Sequence, residues 1–112
     1  MTPYKQGDII TVNYPFDDFS GEKIRPAIIV GKSRSKFGSY IVAKVTTTIR
    51  QDANSFLLDN NFLSVPTRRV SEVRCNELVT ILETKFLRCV STLEISQVKE
   101  LCEKIQQNFI VK

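Results

Sequence analysis

Apolar and polar residues repeat with two different periods along this chain, close to two through most of its length and close to 3.6 at the C-terminal end. In Gly7-Asp8-Ile9-Ile10-Thr11-Val12-Asn13-Tyr14-Pro15, the residues Ile10, Val12 and Tyr14 alternate with Thr11 and Asn13. This pattern predicts a half-buried strand that stops at Pro15, which has no N–H to give to a ladder. The polar stretch from Phe16 to Ile24, with Ser20-Gly21 at its centre, reads as a long mobile loop. Arg25-Pro26 then opens a second strand running from Ala27 to Gly31, continuously apolar and so expected in the middle of a sheet. Lys32 to Gly38 is basic and turn-like, and a third strand is predicted from Tyr40 to Thr48 with Ile41, Ala43 and Val45 on one face. Ser55 to Leu58 is a short fourth strand closed by the turn residues Asp59-Asn60-Asn61. Val65 to Arg69 reads as a basic loop. Val70 to Cys75 and Glu77 to Leu82 make one bent strand or two short ones, and Glu83 to Ser91 is part irregular, part strand.

The last segment changes period. Ile95, Val98, Leu101, Cys102, Ile105 and Phe109 form the apolar stripe of an amphipathic helix of about 15 residues. Thr92 with Ser96, and Glu94 ahead of the run, offer N-terminal capping chemistry. The expectation is a mainly β chain with a C-terminal helix, folded as a small closed or half-closed barrel with the helix packed on it. With no repeat or linker composition, residues 1–112 are expected to form a single domain.

Composition sharpens the functional question more than the fold. At 42% hydrophobic and 25% charged, the chain has the balance of a folded globular domain, not a disordered one. A domain this small buries about two-thirds of its unfolded surface, so a site is expected in a surface groove that a second subunit could complete. No apolar run approaches the ~18 residues of a membrane span, and the N-terminus lacks the apolar stretch of a signal peptide. Cys75, Cys89 and Cys102 have no CxxC spacing and read as buried or half-buried thiols in a reducing cytoplasm. The formal charge of +4 favours anionic partners without singling one out.

Histidine is absent, which removes the commonest general base and metal ligand together. The five aspartates and seven glutamates form neither HExxH nor DxD spacings, and there is no GxSxG elbow or phosphate loop. Without a histidine partner, none of the cysteines reads as an activated nucleophile. No metal or other cofactor is expected. Arginine and hydroxyl chemistry remains. Arg25, locked by Pro26 against an apolar strand, is either a solvated strand-edge residue or a rigidly held cation. Thr46-Thr47-Thr48, followed by Arg50, is either β-propensity or a set of hydroxyl donors at a strand end.

Gly7-Asp8-Ile9-Ile10-Thr11-Val12 leading to Arg25-Pro26-Ala27-Ile28-Ile29-Val30 resembles the opening of the PemK/MazF toxins, with a GDI strand, a variable loop and then RPA before a β-branched run. Val42-Ala43-Lys44-Val45-Thr46-Thr47 is similar to that family's third strand. Ser71-Glu72-Val73-Arg74 and Leu93 through Ile105 resemble its late strand and C-terminal helix. The likeness covers nearly the whole chain, and the order and spacing of the motifs are its specific part. It implies an SH3-like barrel of the PemK/MazF/CcdB type and a cytoplasmic homodimer. It also implies a toxin of a type II toxin–antitoxin system that cuts single-stranded mRNA and is neutralised by a cognate antitoxin.

By the same resemblance Arg25 and Thr46 take the catalytic positions, and Phe16, Ser20 and Lys23 become candidate RNA contacts; Thr48, a hydroxyl donor at the strand end, is a further candidate. In such chemistry the RNA 2′-OH attacks its own phosphate, so the protein supplies geometry and charge stabilisation, not a nucleophile. Arg25 is then an electrostatic clamp and an acid toward the leaving 5′-oxygen. Many members carry an EQxRT run where this chain has Glu77-Leu78-Val79-Thr80, keeping the glutamate and losing the polar partners. Arg50, Arg68 and Arg69 are the basic residues that could replace those contacts. Two alternatives stay open: a CcdB-like toxin that inhibits DNA gyrase without catalysis, and a degenerate, inactive binding module.

Overall fold

The strands form where the alternation places them, and both of their faces are used. In the computed structural model the described residues are 4–15, 22–33 and 38–112. They form strands β1 (Asp8–Pro15), β2 (Glu22–Lys32), β3 (Ser39–Thr46), β4 (Ser55–Leu58), β5 (Ser71–Leu82) and β6 (Phe86–Thr92), followed by helix α1 (Ile95–Gln106). All pairings are antiparallel, in one six-stranded sheet of order β4-β5-β3-β2-β1-β6. The continuously apolar β2 lies next to the middle, as its composition predicts. The two edge strands are drawn together where Leu63 bridges Leu93, with Ser64 N–H donating to the Thr92 carbonyl (2.9 Å) and Glu94 N–H to the Phe62 carbonyl (2.8 Å). The sheet is not a closed barrel, but these contacts curl it into a barrel-like shape.

Alternate residues of the central strands feed two apolar clusters. Ile9, Ile28, Val30, Ala43, Val45 and Val73 pack beneath α1 with Val98, Leu101 and Ile105. Ile10, Val12, Ala27, Ile29, Tyr40, Val42 and Phe86 fill the other face, where Tyr4 meets Phe86 edge to face at 4.9 Å. Gly7 sits where β1 begins and the helix comes closest. Its φ is +96°, and a Cβ there would lie 2.8 Å from Val98 Cγ2, so only glycine fits. The buried Asp8 carboxylate next to it accepts from Thr92 Oγ1 and Lys5 N, both at 3.0 Å. The Gly7-Asp8 pair thus ties the start of the chain to the segment entering α1.

Several boundaries differ from the sequence expectation. β2 starts at Glu22, so the last three residues of the expected loop are strand, paired as Glu22 with Pro15, Lys23 with Tyr14 and Ile24 with Asn13. Residues 16–21 lie outside the described residues. β3 ends at Thr46, and Thr47-Thr48 form a bend. Asn60–Phe62 is a single 3-10 turn capped by the Asp59 carboxylate. The ambiguous stretch resolves into a 3-10 turn, Glu83–Lys85, and β6. Cys89 is exposed and not half-buried, while Cys75 is buried and all three thiols are free.

The apolar stripe of α1 is shorter than expected. Ile95 and Phe109 are 62% and 65% exposed; the first opens the helix and the second falls in the terminal 3-10 turn, Gln107–Phe109. Thr92 does not cap the helix, since its hydroxyl is committed to Asp8; Glu94 is the N-cap, with no side-chain capping bond.

Candidate functional site

At one end of β2 and β3 a polar groove of about 300 Å³ is lined by Arg25, Pro26, Lys44, Val45, Thr46, Thr47, Thr48, Arg50, Arg74 and Glu77. Arg25 lies within β2, opposite Val12 of β1, and not at a strand edge, so the sheet fixes its backbone. Lys44 and Thr46, two residues apart on β3, point to the same face. Thr46 Oγ1 accepts from Thr48 N–H at 3.1 Å, which ties the hydroxyl oxygen down and leaves its proton to be donated elsewhere. Four of the sequence-derived site residues, Arg25, Thr46, Thr48 and Arg50, therefore converge on one groove.

The others do not line it. Lys23 is exposed on β2, and Arg68 and Arg69 are exposed on the segment before β5. Phe16 and Ser20 lie outside the described residues.

The sequence reading missed the groove's third wall. Between its pairing of Val45 with Val73 and of Ala43 with Leu78, β3 moves two residues while β5 moves five. The surplus on β5 is a bulge, and it breaks the strict alternation that would turn Arg74 and Glu77 to opposite faces. Both side chains line the groove, and Glu77 lies 3.5 Å from Arg74 Nε and 3.6 Å from Lys44 Nζ.

Behind this wall sits a buried ion network. Glu72 is 1% exposed and Arg74 6%. Arg74 Nη1 donates to Glu72 Oε2 at 2.7 Å, and its two terminal nitrogens grip both Asp52 oxygens at 3.1 Å. Ser55 Oγ also donates to Glu72 Oε2, at 2.7 Å. The other Glu72 oxygen accepts from the backbone N–H groups of Arg50 (3.0 Å) and Gln51 (3.5 Å). Gln51 has φ +50°, a left-handed conformation that L residues adopt at a cost. Glu72 thus holds, from beneath, the strained turn that carries Arg50 into the groove.

Electrostatics follow from this geometry. Hydrogen bonding from Arg74, with help from Asn54 N–H, lowers the Asp52 carboxyl from 3.8 to about 2. Burial pushes Glu72 upward, but hydrogen bonds from Ser55, Arg74, Arg50 and Gln51 outweigh it and leave the carboxyl below its ordinary range. Asp52 and Glu72 in turn raise Arg74. Arg74 is therefore neutralised within the fold, and the cations turned to the groove are Arg25, Lys44 and Arg50. Alternating opposite charges at Glu72 and Arg74 inside a strand were the sequence signal available for this cluster. Among the described residues no three His, Cys, Asp or Glu side chains gather as metal ligands.

Residues 5–109 match the family model described as PemK-like, MazF-like toxin of type II toxin-antitoxin system. No curated protein sequence matches the chain significantly. Among solved structures, the Mycobacterium tuberculosis toxin MazF-mt6 is 26% identical with a TM-score of 0.71, covering 94% of this chain and 98% of that one. An endoribonuclease in complex with its cognate antitoxin from Mycobacterial species is 12% identical with a TM-score of 0.72, covering 93% of this chain and 92% of that one. A MazE-MazF structure from Deinococcus radiodurans is 13% identical with a TM-score of 0.73, covering 95% of each chain. The last two establish likeness of fold.

Proposed function

The chain belongs to the PemK/MazF family of type II toxin–antitoxin toxins, and from that premise we propose that it is a sequence-selective endoribonuclease that cleaves single-stranded mRNA without a metal ion. The observation that carries the proposal is the convergence of Arg25 and Thr46 on one groove with Lys44 and Arg50. A phosphate seated there meets a guanidinium that can fork onto its non-bridging oxygens and a hydroxyl whose proton is free to be donated. Both interactions strengthen as charge builds on a phosphorane, which is the condition for catalysis by binding. The attacking group is the RNA 2′-OH, so the products are a 2′,3′-cyclic phosphate and a 5′-OH, and DNA is inert.

The same groove suits an antitoxin. A basic, open channel accepts an acidic, extended segment that orders on binding, and one of the similar structures is an endoribonuclease in complex with its cognate antitoxin. We place the active form as a cytoplasmic homodimer, with Thr48, Arg50 and Lys23 contacting RNA beside Phe16 and Ser20. Arg68 and Arg69, outside the groove, are extensions of the RNA path.

The test is incubation of the purified chain with a long single-stranded RNA in EDTA, followed by end-group analysis. Discrete cuts ending in cyclic phosphate are expected, with Arg25→Ala slower by roughly 100-fold or more. RNA left intact by the folded, antitoxin-free protein would overturn the proposal.

A further inference from the structure

A second pocket, of about 440 Å³, lies where the segment before β1 meets the far ends of β2 and β3. Tyr4, Lys5 and Gln6 line it together with Gly31, Lys32 and Tyr40, and none of these residues lines the groove that holds Arg25 and Thr46. Arg25 and Gly31 stand about 20 Å apart along β2 at the rise of an extended strand, so the two sites are separate. Tyr40 is 3% exposed, and its hydroxyl is sealed from solvent with no hydrogen-bond partner among the described residues. Buried hydroxyls are nearly always paired, so an unpaired one beside a cavity is a polar group available to whatever enters it. Its ring is held between Tyr4 and Phe86, at centroid distances of 6.1 and 5.6 Å, which fixes where the hydroxyl stands. Gln6 Nε2 donates to the Val30 carbonyl at 2.8 Å, which orients that side chain and leaves its own carbonyl oxygen as an acceptor. Gly31 adds no side chain to fill the space. Lys5 and Lys32 are exposed, and no carboxylate joins them in the lining, so the pocket favours an anion.

We propose that this pocket binds a nucleotide, with the base against Tyr4 and within reach of the Tyr40 hydroxyl and the Gln6 amide, and the phosphate on Lys5 and Lys32. Each part of the lining answers a part of that ligand. An aromatic ring stacks on any base. The hydroxyl and the amide carbonyl supply hydrogen bonds to a base edge, and the two lysines supply charge-assisted bonds to a phosphate. An uncharged aromatic would leave the lysines unused, and inorganic phosphate would leave the aromatic wall uncovered. The nucleotide comes either free or as a unit of an RNA strand that also occupies the cleavage groove, and only the second source rests on the ribonuclease reading above.

The measurement is calorimetric titration of the full chain with AMP, UMP, adenosine and inorganic phosphate, and with a 2′-O-methyl RNA oligonucleotide, comparing wild type, Y40F and K5A/K32A. The mononucleotides are expected to bind wild type more tightly than adenosine or phosphate alone. Y40F removes a hydroxyl that the fold does not pair. It is therefore expected to melt no lower than wild type, to cut saturating RNA at the wild-type rate, and to bind the mononucleotides at least about threefold more weakly. K5A/K32A is expected to lose most of the difference between AMP and adenosine. If only the oligonucleotide weakens with Y40F, the nucleotide is a unit of the strand. If neither kind of probe distinguishes Y40F and K5A/K32A from wild type, the proposal is overturned. A Y40F chain that melts lower while binding every probe as wild type does overturns it too, since the hydroxyl would then serve the fold. RNA left uncut by wild type overturns the ribonuclease reading alone, because the mononucleotide titration does not depend on cleavage.

Discussion

Glu72 shows what a single residue costs and contributes here. An isolated carboxylate at 1% exposure would be driven to its neutral form or would unfold the strand around it. Instead it meets Arg74, Ser55 and two backbone N–H groups, so its desolvation is offset at every lone pair. The arrangement has a sign that can be measured. Asp52 and Glu72 both have folded-state pKa values below their unfolded ones, so each contributes stability that is present above the unfolded pKa. That contribution is lost as pH falls below the carboxylate range, for Asp52 from 3.8 toward about 2. Urea unfolding followed from neutral pH into the acid range is therefore expected to show falling stability, and Asp52→Asn is expected to flatten part of the fall. An equally steep curve for that variant would mean that the Arg74 fork onto Asp52 contributes nothing. Because Asp52 is open to solvent, solvent screening weakens its share, and the larger part should remain with the buried Glu72.

At the scale of elements, the helix and the bulged strand carry opposite lessons. α1 holds to the sheet through Val98, Leu101 and Ile105. Leu101→Ala, at a side chain with 0% exposure, is expected to cost about 3 kcal/mol in urea denaturation. Ile95→Ala, on the same periodic stripe but largely exposed, is expected to stay within about 0.5 kcal/mol. Equal losses would mean that Ile95 is covered in solution, as by a second copy. Periodicity alone treats Ile95 and Leu101 alike, and only their burial in the folded chain separates them. The same limit explains the start of β2. Glu22-Lys23-Ile24 pair with β1 through the backbone and carry no apolar alternation, so nothing in their side chains marks a strand. β1, β3 and β4 were legible because their buried faces are apolar at period two. Arg25 and Thr46 were legible through the motifs around them. Glu72 and Arg74 left only an alternation of opposite charges as a sign. Glu77 left none, because its turn toward the groove depends on a bulge between β3 and β5, a non-local event that no spacing within β5 records.

For the whole molecule, the net charge of +4 says little about where an anionic partner would be held. Arg74 is neutralised by Asp52 and Glu72, while Arg25, Lys44 and Arg50 share one groove with Glu77, which lies 3.6 Å from Lys44, so the field there comes from three cations partly offset by one carboxylate. For single-stranded RNA each phosphate neutralised contributes about −0.7 to the slope of log affinity against log salt. Three cations on three phosphates therefore give a slope of about −2 for one groove, measurable with 2′-O-methyl RNA that binds without being cut. Arg50→Ala is expected to make the slope shallower by about 0.7, leaving the fold intact because its backbone N–H still reaches Glu72. R68A/R69A reports on the surface outside the groove. An unchanged slope confines RNA to the groove, whereas a drop of about 1.4 extends the RNA path along the segment before β5. A wild-type slope near −4 would mean that one RNA engages two grooves at once. A single chain has one such groove among its described residues, so that value would require a second copy and would make the homodimer the unit that binds.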